Sequence, residues 1–142
     1  MSNFSKFMKA NKIQKENVMH PVTKSLMDEN GEPLLWEIKP LTTKENEAIR
    51  DACTTEVPVK GKPNLYRTKT DMGKYQVKLM CAAIVNPDLN NKELQDSYGV
   101  MTPEDLLKEM VDNPAEYTDL MMFVQQISGF STLQDDIDEA KN

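Results

Sequence analysis

The chain has 142 residues, 39% of them hydrophobic, a size and composition typical of one globular domain with a modest core. Its formal net charge of −6 opposes nonspecific attraction to phosphate backbones, so we expect no nucleic acid partner. Because the sequence contains neither a membrane-length apolar run nor a signal-peptide core, it predicts no membrane association and a cytoplasmic location.

The N-terminal region predicts a short helix followed by a β-hairpin. Phe4, Phe7 and Met8 are spaced for one face of a helical turn that either docks or frays. A two-residue apolar period then marks two strands, the first with Val18, His20, Val22 and Leu26 and the second with Leu34, Trp36 and Ile38. Between them, Asn30 and Gly31 tolerate the positive φ angles of a tight turn.

The next segment predicts a helix, followed by a stretch for which two structures are possible. Thr42 and Glu45 form a capping-box pattern, which predicts a helix from this point to about Cys53. Its predicted apolar face consists of Ala48, Ile49, Ala52 and Cys53. Residues 54–70 contain two prolines and a glycine and favour either an irregular loop or a second hairpin.

The second half of the chain predicts four helices. Residues 71–85 predict the central core helix, with Met72, Tyr75, Leu79, Met80 and Ala83 on one face. Capping and termination patterns predict three more helices, over residues 91–98, from Thr102 onward, and over residues 113–128. The predicted buried residues of the helix that begins at Thr102 are Leu106, Leu107, Met110 and Val111. We expect these last helices to pack as hairpins.

The predicted fold class is therefore α+β, with an N-terminal β-hairpin or small antiparallel sheet packed on a mainly helical C-terminal part. We expect residues 1–130 to form one domain. Residues 131–142, called the acidic tail below, carry Leu133, Ile137 and Ala140 among several carboxylates and predict at most a marginal helix.

The sequence predicts no enzyme, cofactor or metal site. The single histidine, His20, lies in a predicted strand, away from any recognisable nucleophile. Cys53 and Cys81 form no metal-binding pair, and both fall on apolar helix faces as small buried hydrophobic residues. No phosphate-binding glycine loop or calcium loop occurs.

Two other features favour protein binding. Ten methionines provide adaptable apolar side chains. On a helical wheel Met121 belongs to the predicted core stripe of the last helix, whereas Met122 projects roughly opposite that stripe. Met122 and Phe123 are thus either an exposed apolar contact or a second packing layer. Lys60, Lys62, Arg67, Lys69, Lys74 and Lys78 cluster around the middle of the chain. This cluster either contacts an acidic partner or the tail itself, or is a solvated loop.

Two motifs do not belong to any of these features. The first runs from Trp36 to Thr42 and continues through residues 45–50 to Cys53. The second comprises residues 86–90, 93–100, 116–117 and 127–130. Both resemble the XkdN-like tail assembly chaperones of tailed bacteriophages and prophages of the PBSX type, and the resemblance extends from Phe4 to Phe130. These motifs identify a family and are not catalytic signatures.

The resemblance implies a non-enzymatic protein of phage morphogenesis in the bacterial host cytoplasm. It implies binding to the aggregation-prone tape measure protein, help in recruiting tail tube protein and absence from the finished virion. The resemblance leaves open whether a longer product is also made by ribosomal frameshifting. The alternatives are a helical adaptor or a structural tail component, and self-association stays open.

We hypothesise that the helix from Tyr117 to Ile127 and the acidic tail form or border the partner surface. The candidate partner-binding residues are Tyr117, Leu120, Met121, Met122, Phe123, Leu133 and Ile137.

Overall fold

A computed structural model describes residues 3–130. Five strands are present in this range, namely β1 (Val18–Pro21), β2 (Leu35–Ile38), β3 (Thr54–Pro58), β4 (Tyr66–Thr70) and β5 (Ile84–Asn86). The helices are α1 (Thr43–Ala52), α2 (Met72–Ala83), α3 (Lys92–Ser97), α4 (Pro103–Met110) and α5 (Pro114–Ile127). Small antiparallel sheets thus precede a mainly helical part, which confirms the predicted α+β class.

The predicted first hairpin is present, with shorter strands than expected. β1 and β2 pair antiparallel in the register Val18 to Ile38 and Pro21 to Leu35. After Pro21, which lacks an N–H group to continue the ladder, the chain leaves the sheet, so Leu26 is not in a strand as predicted. The predicted turn is present, and Gly31 adopts a φ of 79° while its N–H donates to the Asp28 carbonyl.

One strand was not predicted, because Ile84 and Val85 were assigned to the end of the core helix. They form β5, which pairs antiparallel with β2 and completes a sheet in the order β1-β2-β5. The Lys39 N–H donates to the Ala83 carbonyl at 2.8 Å and joins the end of α2 to this sheet. The free edge of β2 and the β-branched side chains favour a strand over another helical turn.

The capping box at α1 is confirmed, but only Ile49 and Cys53 of the predicted apolar face contact the core. The Thr42 side chain accepts from the Glu45 N–H, and the Glu45 carboxylate accepts from the Thr42 N–H. Ala48 and Ala52 are exposed, whereas Cys53 is buried just beyond the helix. Alanine side chains are short and bury little apolar area, and α1 contacts α2 along only part of its surface.

Residues 54–70 contain the second hairpin, so that alternative is the correct one. Its strands β3 and β4 pair over five positions, from Thr54 with Thr70 to Pro58 with Tyr66. Gly61 and Asn64 adopt positive φ in the connection. Pro58 is the last residue of β3, and Pro63 lies in the connection between the strands, so neither proline interrupts the middle of a strand.

Helix α2 is the centre of the core, as predicted. Tyr75, Leu79, Met80 and Ala83 are buried, together with Val77, which the predicted face omitted. Met72 is exposed at the start of the helix, where α2 has not yet entered the core. The Tyr75 hydroxyl donates to the Asn46 side chain and links α2 to α1.

The C-terminal helices begin and end as predicted but pack differently. Asn91, Thr102 and Asn113 cap α3, α4 and α5, while Gly99 and Gly129 adopt positive φ after α3 and α5. Instead of forming hairpins, α4 and α5 make their main helix contacts with α2. The buried apolar stripe of α2 is wide enough to serve both neighbours.

The N-terminal turn is a 3₁₀-helix over Asn3–Phe7 rather than an α-helix. Phe4 is 66% exposed and Phe7 88% exposed, so neither anchors this turn to the core.

Candidate partner-binding groove

A groove of about 690 Å³ lies between the β1–β2 connection and α5. Its lining residues come from two stretches of chain, namely His20, Pro21, Val22, Thr23, Lys24 and Pro33 on one side and Asn113, Glu116, Asp119, Leu120, Met122, Phe123 and Gln126 on the other. β1 ends at Pro21, and the residues that follow it along the chain, Val22, Thr23 and Lys24, line the groove.

Helix α5 supplies the apolar wall. Leu120 and Val124, four residues apart, are buried and fix the helix on the core. Met122 lies away from this buried stripe and is 59% exposed. A flexible thioether in this position can adjust to different apolar partners.

A pair of stacked rings joins β1 to α5. The rings of His20 and Phe123 stack with their centroids 3.7 Å apart and their planes 11° from parallel. Burial lowers the pKa of His20 and so favours the neutral form of its imidazole. This histidine therefore acts as a packing residue that joins the strand to the helix.

The Glu116 carboxylate joins α5 to the β1–β2 connection. Glu116 accepts from the Lys24 N–H at 2.9 Å and from the Thr23 hydroxyl at 2.7 Å. The hydrogen bond from the Lys24 backbone, followed by that from Thr23, lowers the pKa of Glu116. Since both oxygens are engaged, Glu116 positions the connection, while Asp119 contributes negative charge to the lining.

The structure brings only part of the predicted partner set to this groove. Met122 and Phe123 line it, and Leu120 reaches it from the core with 1% of its surface exposed. Tyr117 and Met121 are half-buried and pack against the core beside it. Leu133 and Ile137 lie outside the described residues.

The residues on the β1 side of the groove were not predicted from the sequence. Its residues are separated from α5 by about ninety positions, as the Thr23–Glu116 and Lys24–Glu116 contacts show. Pro21 favours the end of a strand, but the alternating pattern predicted that the strand continues to Val22 and Leu26. A strand end also does not reveal which helix lies opposite.

The described part of the chain contains neither a cluster of metal-binding side chains nor a helix that could cross a membrane. Within residues 3–130, no cluster of three or more His, Cys, Asp or Glu side chains could hold a metal ion. Both cysteines are free and lie elsewhere, Cys53 buried and Cys81 half-buried. In the same range, no helix is both long and apolar enough to cross a bilayer.

Comparison with known proteins defines the class. The sequence profile of the Phage XkdN-like tail assembly chaperone proteins matches residues 4–141. The chain therefore belongs to the XkdN-like family of phage tail assembly chaperones.

Individual relatives agree with this assignment. The chain is 26% identical to the phage-like element PBSX protein XkdN of Bacillus subtilis (strain 168) over 141 residues, covering 99% of this chain and 94% of that protein. It is 25% identical to the uncharacterized protein YqbN of the same strain, covering 97% and 91%. The crystal structure of YqbN shares the fold with a TM-score of 0.76 at 22% identity, over 92% of this chain and 99% of that one.

Proposed function

We propose that this chain binds the tape measure protein of its phage or prophage in the host cytoplasm. It keeps that long helical protein soluble, assists assembly of the tail tube around it and is absent from the mature virion. This is a binding function without catalysis. The family membership supports the general role, and the groove beside α5 supports the specific one.

The observation that carries the proposal is a single groove that combines apolar and polar lining residues. Its apolar wall consists of Met122, which is 59% exposed, and Phe123, which is half-buried against the core, whereas Asp119 and Lys24 line the same groove. An amphipathic client helix presents the complementary arrangement, with apolar anchors spaced three or four residues apart. Leu133 and Ile137 of the acidic tail, which show the same spacing, add a second apolar contribution to the client surface.

Co-expression with the tape measure protein encoded nearby in the same phage or prophage tests this function. A soluble, stoichiometric complex recovered by pull-down is the expected result. A client that stays insoluble and unbound would contradict direct protection and favour an adaptor that acts on tail tube subunits.

Mass spectrometry of purified virions tests the predicted absence from the particle. We expect peptides of the tape measure protein and none of this chain. Stoichiometric recovery of this chain from virions would instead identify a structural tail component.

A further inference from the structure

The hairpin formed by β3 and β4, called the arm below, stands apart from the rest of the fold. Its two strands pair only with each other, and it makes few contacts with other elements of the described chain. The base is fixed where the Asp71 N–H donates to the Cys53 carbonyl at 2.9 Å. Since the arm contributes little to the core, its surface is available for another role.

One face of the arm is both basic and apolar. In the ladder, Val57 lies opposite Arg67 and Thr55 opposite Lys69, so these pairs share a face. The same alternation continues this face to Val59 and Leu65, which pair through the Val59 N–H and the Leu65 carbonyl at 2.9 Å. We call this surface, together with the tip lysines Lys60 and Lys62, the basic face.

The charge on the arm is unbalanced. Residues 54–70 carry four cationic side chains, Lys60, Lys62, Arg67 and Lys69, and a single carboxylate, Glu56. Glu56 pairs with Thr68 and so lies on the opposite face from Arg67. The ion pairs found within residues 3–130, Lys39–Glu45 and Lys78–Glu104, involve none of the four.

We propose that the basic face is the docking site of the chain's own acidic tail, residues 131–142. The tail carries Asp135, Asp136, Asp138 and Glu139 with a single lysine, and its charge is therefore complementary to that of the arm. Leu133 and Ile137 match the apolar Val57, Val59 and Leu65 of the basic face. Charge and apolar contact thus both favour the same occupant.

The tail starts close enough to reach the arm. The Leu41 N–H donates to the Ser128 hydroxyl at 2.9 Å, which fixes the end of α5 at the start of α1. The arm begins directly after α1, whose length is about 15 Å at about 1.5 Å per residue. A segment as long as residues 131–142 spans up to roughly 40 Å when extended and roughly 18 Å when helical.

The docked tail would cover Leu133 and Ile137 in the free protein. Exposed ion pairs are individually weak and are screened over a Debye length of about 10 Å at 0.1 M salt, so the contact is salt-sensitive and readily displaced. Docking itself does not depend on the client. Only its release by a client that competes for the two apolar side chains rests on the proposed function.

Zero-length carbodiimide cross-linking of the full chain alone, followed by peptide mass spectrometry of the monomer band, tests the docking. We expect cross-links between arm lysines and tail carboxylates at 20 mM salt and at least fivefold fewer at 500 mM salt. Arg67→Glu with Lys69→Glu should reduce them by a similar factor. Adding Asp135→Lys and Asp136→Lys should restore them with reversed polarity.

The matched control is Lys92→Glu with Lys108→Glu, which makes the same change in net charge at exposed helical positions. This control should keep the wild-type cross-links. Cross-links found only in a dimer band would assign the arm to a second copy and overturn the proposal. Cross-links that survive the arm reversal, or that the control abolishes equally, would also overturn it, and so would their complete absence from the wild type at low salt.

Discussion

Met121 and Met122 show how far helical geometry alone determines the role of a residue. Successive side chains on a helix are about 100° apart, so Met122 was expected on the side away from the core, where it is indeed exposed. His20 shows the limit of this reasoning. Its ring stacks on Phe123, a residue about one hundred positions further along the chain, and no local pattern encodes that contact.

The thiols provide a prediction at the same scale. Burial raises the pKa of Cys81 to about 12, so that roughly one thiol in ten thousand is ionised at pH 8. Cys53 is 3% exposed. We expect both to react with Ellman's reagent at least about tenfold more slowly in the native protein than in 6 M guanidinium chloride. Rapid native labelling that disappears in Cys81→Ala would contradict this assignment of the half-buried thiol.

Glu116 predicts a pH dependence of stability. Because hydrogen bonds from Lys24 and Thr23 depress its folded-state pKa, its contribution is present above the unfolded pKa of about 4.3 and is lost as the pH falls through the folded pKa. We expect Glu116→Gln to be less stable than the wild type in urea unfolding at pH 6, with the difference shrinking at pH 3.

The control for this prediction is Glu109→Gln, which changes an exposed carboxylate on α4. It should shift stability by less than about 0.5 kcal/mol at both pH values. A Glu116→Gln difference that grows as the pH falls would show that the sign of the linkage is wrong.

At the scale of elements, the sequence predicts where helices begin but not which elements pack against each other. Capping residues such as Thr42 and Asn113 act through hydrogen bonds within a few positions, and sequence therefore locates the starts of α1 and α5 well. The strand β5 forms only because β2 offers it an edge. Without knowing that edge, the apolar run at Ile84 is indistinguishable from the end of a buried helix.

The central position of α2 can be tested with two methionines. Met80 is fully buried in α2 whereas Met122 is exposed on α5. We expect Met80→Ala to lower the free energy of unfolding by about 2–5 kcal/mol, because it leaves a cavity in the core. Met122→Ala should cost less than about 0.5 kcal/mol in the same denaturation assay. Equal effects would contradict the core assignment of α2.

At the scale of the whole molecule, the α+β class and the family followed from sequence, whereas the groove did not. The motifs from Trp36 to Thr42 and around Asn86 lie near β2 and β5, in the sheet that supports the fold. The groove depends on where β1 ends and on how α5 rests against the β1–β2 connection. Its Met122–Phe123 wall was predicted as one of two alternatives, but its opposite wall required the tertiary structure.

The most direct test of the account is a paired substitution during co-expression with the tape measure protein. Met122→Asp introduces a charge into the groove, and Met101→Asp introduces the same charge at an 89% exposed methionine outside the groove lining. Circular dichroism should show that both variants fold. We predict that Met101→Asp retains the soluble complex and that Met122→Asp reduces its recovery at least about tenfold, whereas equal, undiminished recovery with both variants would contradict client binding at this groove.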